Sequence, residues 1–226
     1  MMKSVAIHQS QYIPWAPYFA KIASADLFVV MDNVQYQKNG VQNRNKMRNK
    51  QGDFWLTVPV SGELSDHIID KKIHGEQWKE KHWKSIYSAY KKAPYWQEYE
   101  NDIENIYKGN YETLFQINQT FLLYLLRRLE IQTPIIRMSE LQVTGNKSEL
   151  VLNICKSVQA TEYISGSGGR VYMDLDSFKR ENIQVTFKEG VIPRYHQSNG
   201  EFIEGLSILD MLFNVEINEI INFLKK

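Results

Sequence analysis

Two short runs of apolar, β-branched residues near the N-terminus constrain the fold of this chain most. They are "SVAI" at 4–7 and "LFVVM" at 27–31, and the intervening "YFAKIASAD" has the length and apolar spacing of a helix. Parallel strands joined by a helix form a right-handed crossover, and α/β proteins place their sites just past the carboxyl ends of such strands. The pattern therefore predicts strand, loop, helix and strand, with His8 and Asp32 at one edge of a parallel sheet.

Similar patterns continue along the chain. Two further strands are predicted at 54–60 and 67–73, paired through the turn "SGELSD". After Pro134, strands and helices alternate again, and the chain closes with two short helices or one bent helix. We therefore predict a single α/β domain over 1–226, with a Rossmann-like, mostly parallel sheet and flanking helices.

The central segment, 76–131, is mainly helical by its pattern. Apolar and aromatic residues recur at helical spacing on both sides of a break at Pro94, and "NYETLFQINQTFLLYLLRRLEI" predicts a long amphipathic helix. Two arrangements stay open for this segment. It is either a helical subdomain or insertion, or a set of helices that flank the sheet.

Composition limits the class of partner. The 27 basic residues nearly balance the 26 acidic ones, so no nucleic-acid or lipid surface is predicted. A single cysteine, Cys155, excludes an intramolecular disulfide and favours a reducing compartment. The apolar run at the N-terminus is too short for a signal peptide, and no run approaches a membrane span, so a cytoplasmic protein is expected. No zinc or serine-hydrolase signature occurs, and no metal site is predicted.

The segment "HQSQYIPWAPYF" at 8–19 is the first candidate for site chemistry. Pro14 and Pro17 disfavour an ordinary helix through it and favour a fixed, aromatic-rich loop. Its rings offer flat surfaces for a sugar or a base, and its polar groups offer donors and acceptors. The alternative is a loop that closes the top of the core. The residues expected to act are His8, Gln9, Tyr12 and Trp15.

The segment 31–52 is a long, basic and amide-rich connection, and such loops are often functional. Asp32 would orient a hydroxyl or act as a base, or would instead cap the next turn. Arg44 has the planar fork that suits phosphate or carboxylate, although a solvated basic loop is the alternative. The substrate-binding residues predicted in this segment are Gln35, Tyr36, Arg44 and Asn45.

Three later features are weaker candidates. His82 lies on a predicted helix, where a histidine is more often a packing residue. The glycine-rich turn of "YISGSGGRVY" exposes N–H groups that suit an anion, and it comprises Ser165, Gly166, Ser167 and Gly168. "PRYHQSNGEF" places Tyr195 and His196 after a strand-like region, or in a polar surface loop.

The segment "HQSQYIPWAPYFAKIASADLFVVMDNVQYQKNGVQNRN" resembles the WbqC-like family, as do the later blocks "WLTVPV", "YKKAPYW", "YISGSGGRVY" and "LSILDMLFN". The resemblance spans nearly the whole chain. Two positions depart from it: Val215 replaces an expected glycine, and Ser10 replaces a frequent proline. Members typically occur among bacterial genes for O-antigen and other surface glycans, which implies cytoplasmic work on activated sugars or their modifying groups.

The resemblance and the predicted strand-end residues together lead to a functional expectation. A transferase would pass an acyl or aminoacyl-type group to an amino sugar or nucleotide-sugar, with His8 as acid, base or polariser and Asp32 orienting the substrate. The expected partners are a small-molecule substrate, which is a nucleotide-sugar in this reading, and an acyl or aminoacyl carrier; no cofactor is indicated. The alternatives are a non-catalytic sugar-nucleotide or carrier binding module and a nucleotidyltransferase-like enzyme that activates a small acid or sugar.

Overall fold

A five-stranded parallel sheet forms the centre of the protein, and it confirms the predicted α/β fold class. The computed structural model describes residues 3–225. The strands of this part are β1 (Ser4–Gln9), β2 (Leu27–Met31), β3 (Arg44–Asn49), β4 (Gly52–Thr57), β5 (Val60–Ser61), β6 (Lys72–Ile73), β7 (Ile135–Arg137), β8 (Glu162–Gly166) and β9 (Gln184–Lys188). The sheet has the order β7-β2-β1-β8-β9. This is the Rossmann order, in which the chain reverses direction across the sheet between β1 and β8, the topological switch point.

Helices cover both faces of the sheet. They are α1 (Ala16–Ala23), α2 (Gln77–Tyr90), α3 (Glu100–Lys108), α4 (Leu114–Arg128), α5 (Lys147–Ser157), α6 (Leu175–Arg180), α7 (Ile208–Asn214) and α8 (Ile217–Leu224). Because side chains alternate along a strand, β1 serves two cores. Ala6 packs in the core beneath α1 and α8, whereas Val5 and Ile7 pack in the core beneath α5 and α6. Cys155 is buried in the second core, and this burial raises the pKa of its thiol to about 12.

The central segment contributes α2, α3 and α4 to the first core. Ile86, Ile103 and Phe121 on these helices belong to the same buried cluster as Ala6 and Phe28 of the sheet. The long helix α4 begins with a capping box between Thr113 and Gln116, which explains where that amphipathic pattern starts. No helix within residues 3–225 is long and apolar enough to cross a membrane.

Two strand predictions were wrong in detail. The segment predicted as a strand at 67–73 forms a 3₁₀ turn, Ile68–Asp70, before the short β6. Its N–H groups bond outside a ladder: Ile68 donates to the carbonyl of Val34, and Ile69 donates to that of Asp32. The segment predicted as a strand at 54–60 divides into β4 and β5, and β5 pairs antiparallel with β6 as expected.

The segment 31–52 was predicted to be a loop, but its second half is the strand β3. This strand pairs antiparallel with β4 in a hairpin, with Arg44 opposite Thr57 and Asn49 opposite Gly52. The position of Val215 is also explained. Its φ is −126°, an extended conformation that any residue adopts, so the backbone does not require the glycine expected there.

Candidate functional site

A cavity of about 480 Å³ opens at the carboxyl ends of β1 and β8. This is the switch point of the sheet, where Rossmann-like proteins hold their ligands. The end of β1, one side of α1, the segment after β8 and the end of β9 all contribute to the lining, together with Phe223 of α8. The predicted site residues in the lining are His8, Trp15, Gly166, Ser167 and Gly168.

His8 is half-buried near the end of β1, on the sheet face that carries α1. Burial, together with the positive charge of Lys21, lowers the pKa of its imidazole to about 3. The side chain is therefore neutral at physiological pH. Nδ1 lies 3.4 Å from the carbonyl oxygen of Gln9 and also 3.4 Å from the amide nitrogen of Gln11. Donation to Gln9 places the proton on Nδ1 and a lone pair on Nε2, whereas acceptance from Gln11 requires the opposite tautomer. The ring of Tyr18 packs edge-on against the imidazole at 5.0 Å.

Lys21 is one of the cavity residues that sequence reasoning missed, as are Lys188 and Phe223. Its side chain lies on the face of α1 turned to the sheet and is only 8% exposed. Nζ donates a hydrogen bond of 2.7 Å to the carbonyl oxygen of Ile7, and burial lowers the pKa of the ammonium to about 8. The sequence does contain one indication that Lys21 is buried. It follows Tyr18 by three residues and precedes Ile22, so it lies on an otherwise apolar helix face.

The glycine-rich segment after β8 leaves open space in the cavity. A Cβ atom added to Gly166 or Gly168 would meet no heavy atom within 4 Å, and neither residue has a positive φ. Gly169 differs, because its added Cβ would collide with the buried Oγ of Ser165. Ser165 itself donates to the carbonyl of Gly166 at 3.1 Å and packs behind the lining.

The loop between β1 and α1 is fixed by buried amides. The amide of Asn45 donates to the carbonyls of Tyr12, at 3.3 Å, and Ile13, at 2.9 Å. Ile13 has a φ of +39°, an unusual conformation for a β-branched residue and one that packing must enforce. Asn45 thus holds the chain just before Trp15 enters the lining. Gln9 accepts a hydrogen bond of 2.8 Å from Gln42, which ties the same loop to the segment before β3.

The structure places Tyr12 and His82 together, outside the cavity lining. The hydroxyl of Tyr12 lies 3.0 Å from Nδ1 of His82 and 2.6 Å from the hydroxyl of Tyr107. Nε2 of His82 lies 3.1 Å from the carbonyl oxygen of Thr57, so it donates there and Nδ1 accepts from Tyr12. Burial lowers the pKa of His82 to about 4, so this chain of hydrogen bonds contains a neutral imidazole. It joins the first loop to α2 and α3.

Asp32 also lies outside the lining and is completely buried. Its carboxylate accepts hydrogen bonds from the backbone N–H of Ser139, at 3.0 Å, and from the hydroxyl of the same residue, at 2.6 Å. These bonds tie the end of β2 to the 3₁₀ turn Met138–Glu140 after β7. The geometry gives Asp32 a structural function, and its predicted catalytic role has no support from its position.

The other predicted residues of the segment 31–52 lie at the start of β3 or in the stretch before it. Tyr36 is buried, and Nζ of Lys71 lies 5.0 Å from the centroid of its ring. Gln35 donates to the carbonyl of Leu64 at 3.2 Å. The guanidinium of Arg44 stacks on Trp55, with its Cζ atom 4.2 Å from the centroid of the ring. None of the three lines the cavity, and their roles in substrate binding stay predictions.

The C-terminal pair is likewise separate from the cavity. The hydroxyl of Tyr195 donates to Oδ1 of the buried Asp210 at 2.7 Å, and Tyr90 donates to Oδ2 at 2.6 Å. His196 is exposed. The structure thus brings five of the sixteen predicted site residues together in the cavity, and it distributes the others over structural contacts nearby.

A larger groove, of about 1050 Å³, runs between α2 and the β3–β4 hairpin. Its lining includes several exposed lysines, among them Lys50, Lys81 and Lys92, and it contains no residue that the sequence predicted for the site. Within residues 3–225, no group of three or more His, Cys, Asp or Glu side chains is arranged to hold a metal ion.

Comparison with known proteins identifies relatives along nearly the whole chain. The model of a family described as "WbqC-like protein family" matches residues 9–222. The uncharacterized protein Rv1507c of Mycobacterium tuberculosis is 37% identical over 218 residues, which cover 95% of this chain and 94% of that protein.

Proposed function

The chain belongs to the WbqC-like protein family, and from this membership and the switch-point cavity we propose that it is a transferase of bacterial surface-glycan biosynthesis. Its substrate is an amino sugar carried on a nucleotide, and the group transferred is an acyl or aminoacyl-type group. The observation that carries this proposal is the neutral imidazole of His8 in a cavity at the carboxyl end of β1, beside the buried ammonium of Lys21.

The lining offers two kinds of surface to such a substrate. Trp15, Pro17 and Phe223 form an apolar part, on which a sugar ring or a base would stack. Lys21 and Lys188 form a cationic part, and the exposed Ser167 adds a hydroxyl. A nucleotide-sugar has the matching division into flat rings and an anionic diphosphate. Small-molecule sites commonly combine an apolar wall with a few polar groups in this way.

His8 would act as a general base in the transfer. The amino group of the sugar attacks the carbonyl carbon of the acyl donor, a C–N bond forms, and the bond from that carbon to the leaving group breaks. The proton lost by the nitrogen passes to Nε2 of His8, which returns it to the departing thiol or alcohol. An anionic substrate beside Lys21 would raise the pKa of His8 and so make this proton transfer easier.

A non-catalytic binding module is the second candidate. The pKa of about 3 makes protonation of His8 costly in the absence of ligand. The carboxylate of Asp32, which was expected to orient the substrate, is instead engaged by Ser139. These two observations favour a protein that binds the nucleotide-sugar and presents it to another enzyme.

The experiment incubates the full chain with nucleotide-linked amino sugars and acyl or aminoacyl donors, and follows products by mass spectrometry. We expect an N-acylated sugar nucleotide, with turnover at least about 100-fold slower in the variant His8→Gln. His74 is an exposed histidine outside the cavity, so His74→Gln is the matched control and should retain full turnover. Full activity of His8→Gln would remove the base assignment. Binding without any product would establish the binding module, and pyrophosphate release from a nucleoside triphosphate would indicate nucleotidyl transfer.

A further inference from the structure

The buried ammonium of Lys21 has no carboxylate partner in the part of the chain that the structure describes. Three lysines are buried there: Lys21, Lys71 and Lys79. Lys71 pairs with Asp66 at 3.3 Å, and Lys79 pairs with Glu76. Lys21 donates one of its three N–H groups to the carbonyl of Ile7, and its Nζ lies 6.0 Å from the centroid of the Tyr163 ring, but neither contact supplies a negative charge. A buried cation without a counter-ion is costly, so its persistence in a cavity lining calls for an anion from outside the chain.

Lys188 adds a second positive charge to the same cavity. It is the last residue of β9 and stands opposite Gly166 of β8 in the sheet register. Its side chain is half-buried, and among residues 3–225 it forms no ion pair within 4.0 Å. The acidic residue of the lining, Glu189, forms an ion pair with Arg170 at 3.3 Å. The charge that the cavity presents to a ligand is therefore positive.

We infer that Lys21 and Lys188 together bind a phosphate group of the ligand, next to the backbone of Gly166 and Gly168. Lysine binds phosphate as a point charge, whereas arginine provides the fork that a planar carboxylate favours. The two glycines leave the space that a tetrahedral phosphate needs, because no heavy atom lies within 4 Å of either added Cβ. This inference deepens the proposed function and rests on it for the identity of the ligand, but not for the phosphate itself.

Titration calorimetry with inorganic pyrophosphate tests the inference directly. We expect binding that weakens about 10- to 100-fold in Lys21→Met and by a smaller factor in Lys188→Met. Lys179→Met removes an exposed lysine outside the cavity and should bind as the unmodified chain does. Uridine and uridine diphosphate, and coenzyme A, form further arms. Preference for the nucleoside diphosphate assigns the phosphate to the nucleotide-sugar, and preference for coenzyme A assigns it to the acyl donor.

Proton uptake provides a readout that a merely structural lysine would not give. With a pKa of about 8, roughly three-quarters of Lys21 is neutral at pH 8.5, and an anion beside it raises that pKa. Binding of uridine diphosphate, whose phosphates are fully ionised at pH 8.5, should therefore take up about half a proton or more, seen as a binding enthalpy that depends on the ionisation enthalpy of the buffer. Lys21→Met should abolish the uptake, and a thermal melt confirms that the variant is folded.

The outcomes separate this inference from the proposed function. Equal pyrophosphate affinity in the unmodified chain and Lys21→Met overturns the phosphate site, as does the absence of binding by pyrophosphate and uridine diphosphate at millimolar concentration. If binding depends on Lys21 but no donor gives an acylated sugar, the phosphate site stands and the transferase does not. If acyl transfer proceeds unchanged in Lys21→Met, the transferase stands and the phosphate site does not.

Discussion

Nζ of Lys21 donates a hydrogen bond of 2.7 Å to the carbonyl oxygen of Ile7, the residue before His8 in β1. This bond joins the first helix to the first strand where the sheet opens at its switch point. It also brings an ammonium close to an imidazole, and the positive charge of Lys21 helps to keep His8 neutral. A positive charge on one of these groups disfavours protonation of the other, and a nearby anion would remove this effect. Ligand charge and the protonation of His8 are therefore coupled through this contact.

The first prediction concerns the pH dependence of stability at Lys21. Burial lowers its folded-state pKa from 10.5 to about 8, so the unfolded chain binds the proton more tightly. Stability from this residue therefore rises as the pH increases from 8 to 10.5. Relative to Lys21→Met, the unmodified chain should gain about 2 kcal/mol between pH 7 and pH 9.5, measured by urea unfolding. If the difference in unfolding free energy between the two proteins does not change with pH, the folded-state pKa of Lys21 is not lowered.

The second prediction concerns acid sensitivity at His82. Burial lowers the pKa of this imidazole from 6.5 to about 4, and its two nitrogens bond to Tyr12 and Thr57. The unfolded state takes up the proton first, so stability falls as the pH decreases from 6.5 towards 4. The contribution lost between pH 7 and pH 4.5 should be about 2 kcal/mol, and His82→Gln should show that much less acid destabilisation. Parallel urea titrations at the two pH values measure the difference, and identical pH slopes would contradict the prediction.

The central sheet was predictable because its strands are short, apolar and separated by helices. "SVAI" and "LFVVM" lie in β1 and β2, as the pattern indicates. The strand β3 was not predictable in this way, since "RNKMRN" is mostly polar and its pairing depends on β4. The turn at Ile68 was missed for a related reason. Its N–H bonds to Val34, far back along the chain, and local alternation does not record that contact.

The candidate site was predictable where it follows from strand ends. His8 and Gly166 reach the cavity because the strands that carry them end at the switch point. Lys21 was missed because a lysine in a helix is ordinarily assigned to the solvent face, and only the packing of α1 shows it buried. Asp32 was predicted for the site because it follows the end of β2, and Tyr12 because its ring would stack on a ligand, but the sequence does not show the structural partners of either side chain. Their partners, Ser139 for Asp32 and Tyr107 for Tyr12, lie about a hundred residues away along the chain.

The third prediction separates stability from ligand binding at Asp32. Asparagine retains the shape of the side chain but has one acceptor oxygen for the two donors of Ser139. Asp32→Asn should therefore lower the free energy of unfolding by about 1–3 kcal/mol. Pyrophosphate affinity should be unchanged, since Asp32 does not line the cavity. Calorimetry and urea unfolding measure the two effects, and Ser139→Ala is the partner for a double-mutant cycle. A large loss of pyrophosphate affinity in a stable Asp32→Asn protein would show that Asp32 takes part in ligand binding.

The fourth prediction compares two neighbouring glycines. Gly168→Ala places a methyl group in the open cavity, so stability should change by no more than about 0.5 kcal/mol. Gly169→Ala drives its Cβ into Oγ of Ser165, which is 1% exposed and has little room to turn, so it should cost about 1–3 kcal/mol. Neither backbone has a positive φ, and the contrast therefore reports space and not conformational strain.

Ser165→Ala tests the cause of that contrast, because it removes the colliding oxygen. The Cβ atom of residue 165 then lies at an ordinary 3.4 Å from the Cβ atom added at Gly169. The double variant Ser165→Ala, Gly169→Ala should regain most of the stability lost by Gly169→Ala alone, as measured by urea unfolding. Larger side chains at Gly168 then test whether the anion binds in the cavity. Gly168→Leu should fill the cavity that Gly168→Ala only narrows, and it should abolish pyrophosphate binding in a protein that still unfolds cooperatively. Retained binding in Gly168→Leu would place the anion elsewhere.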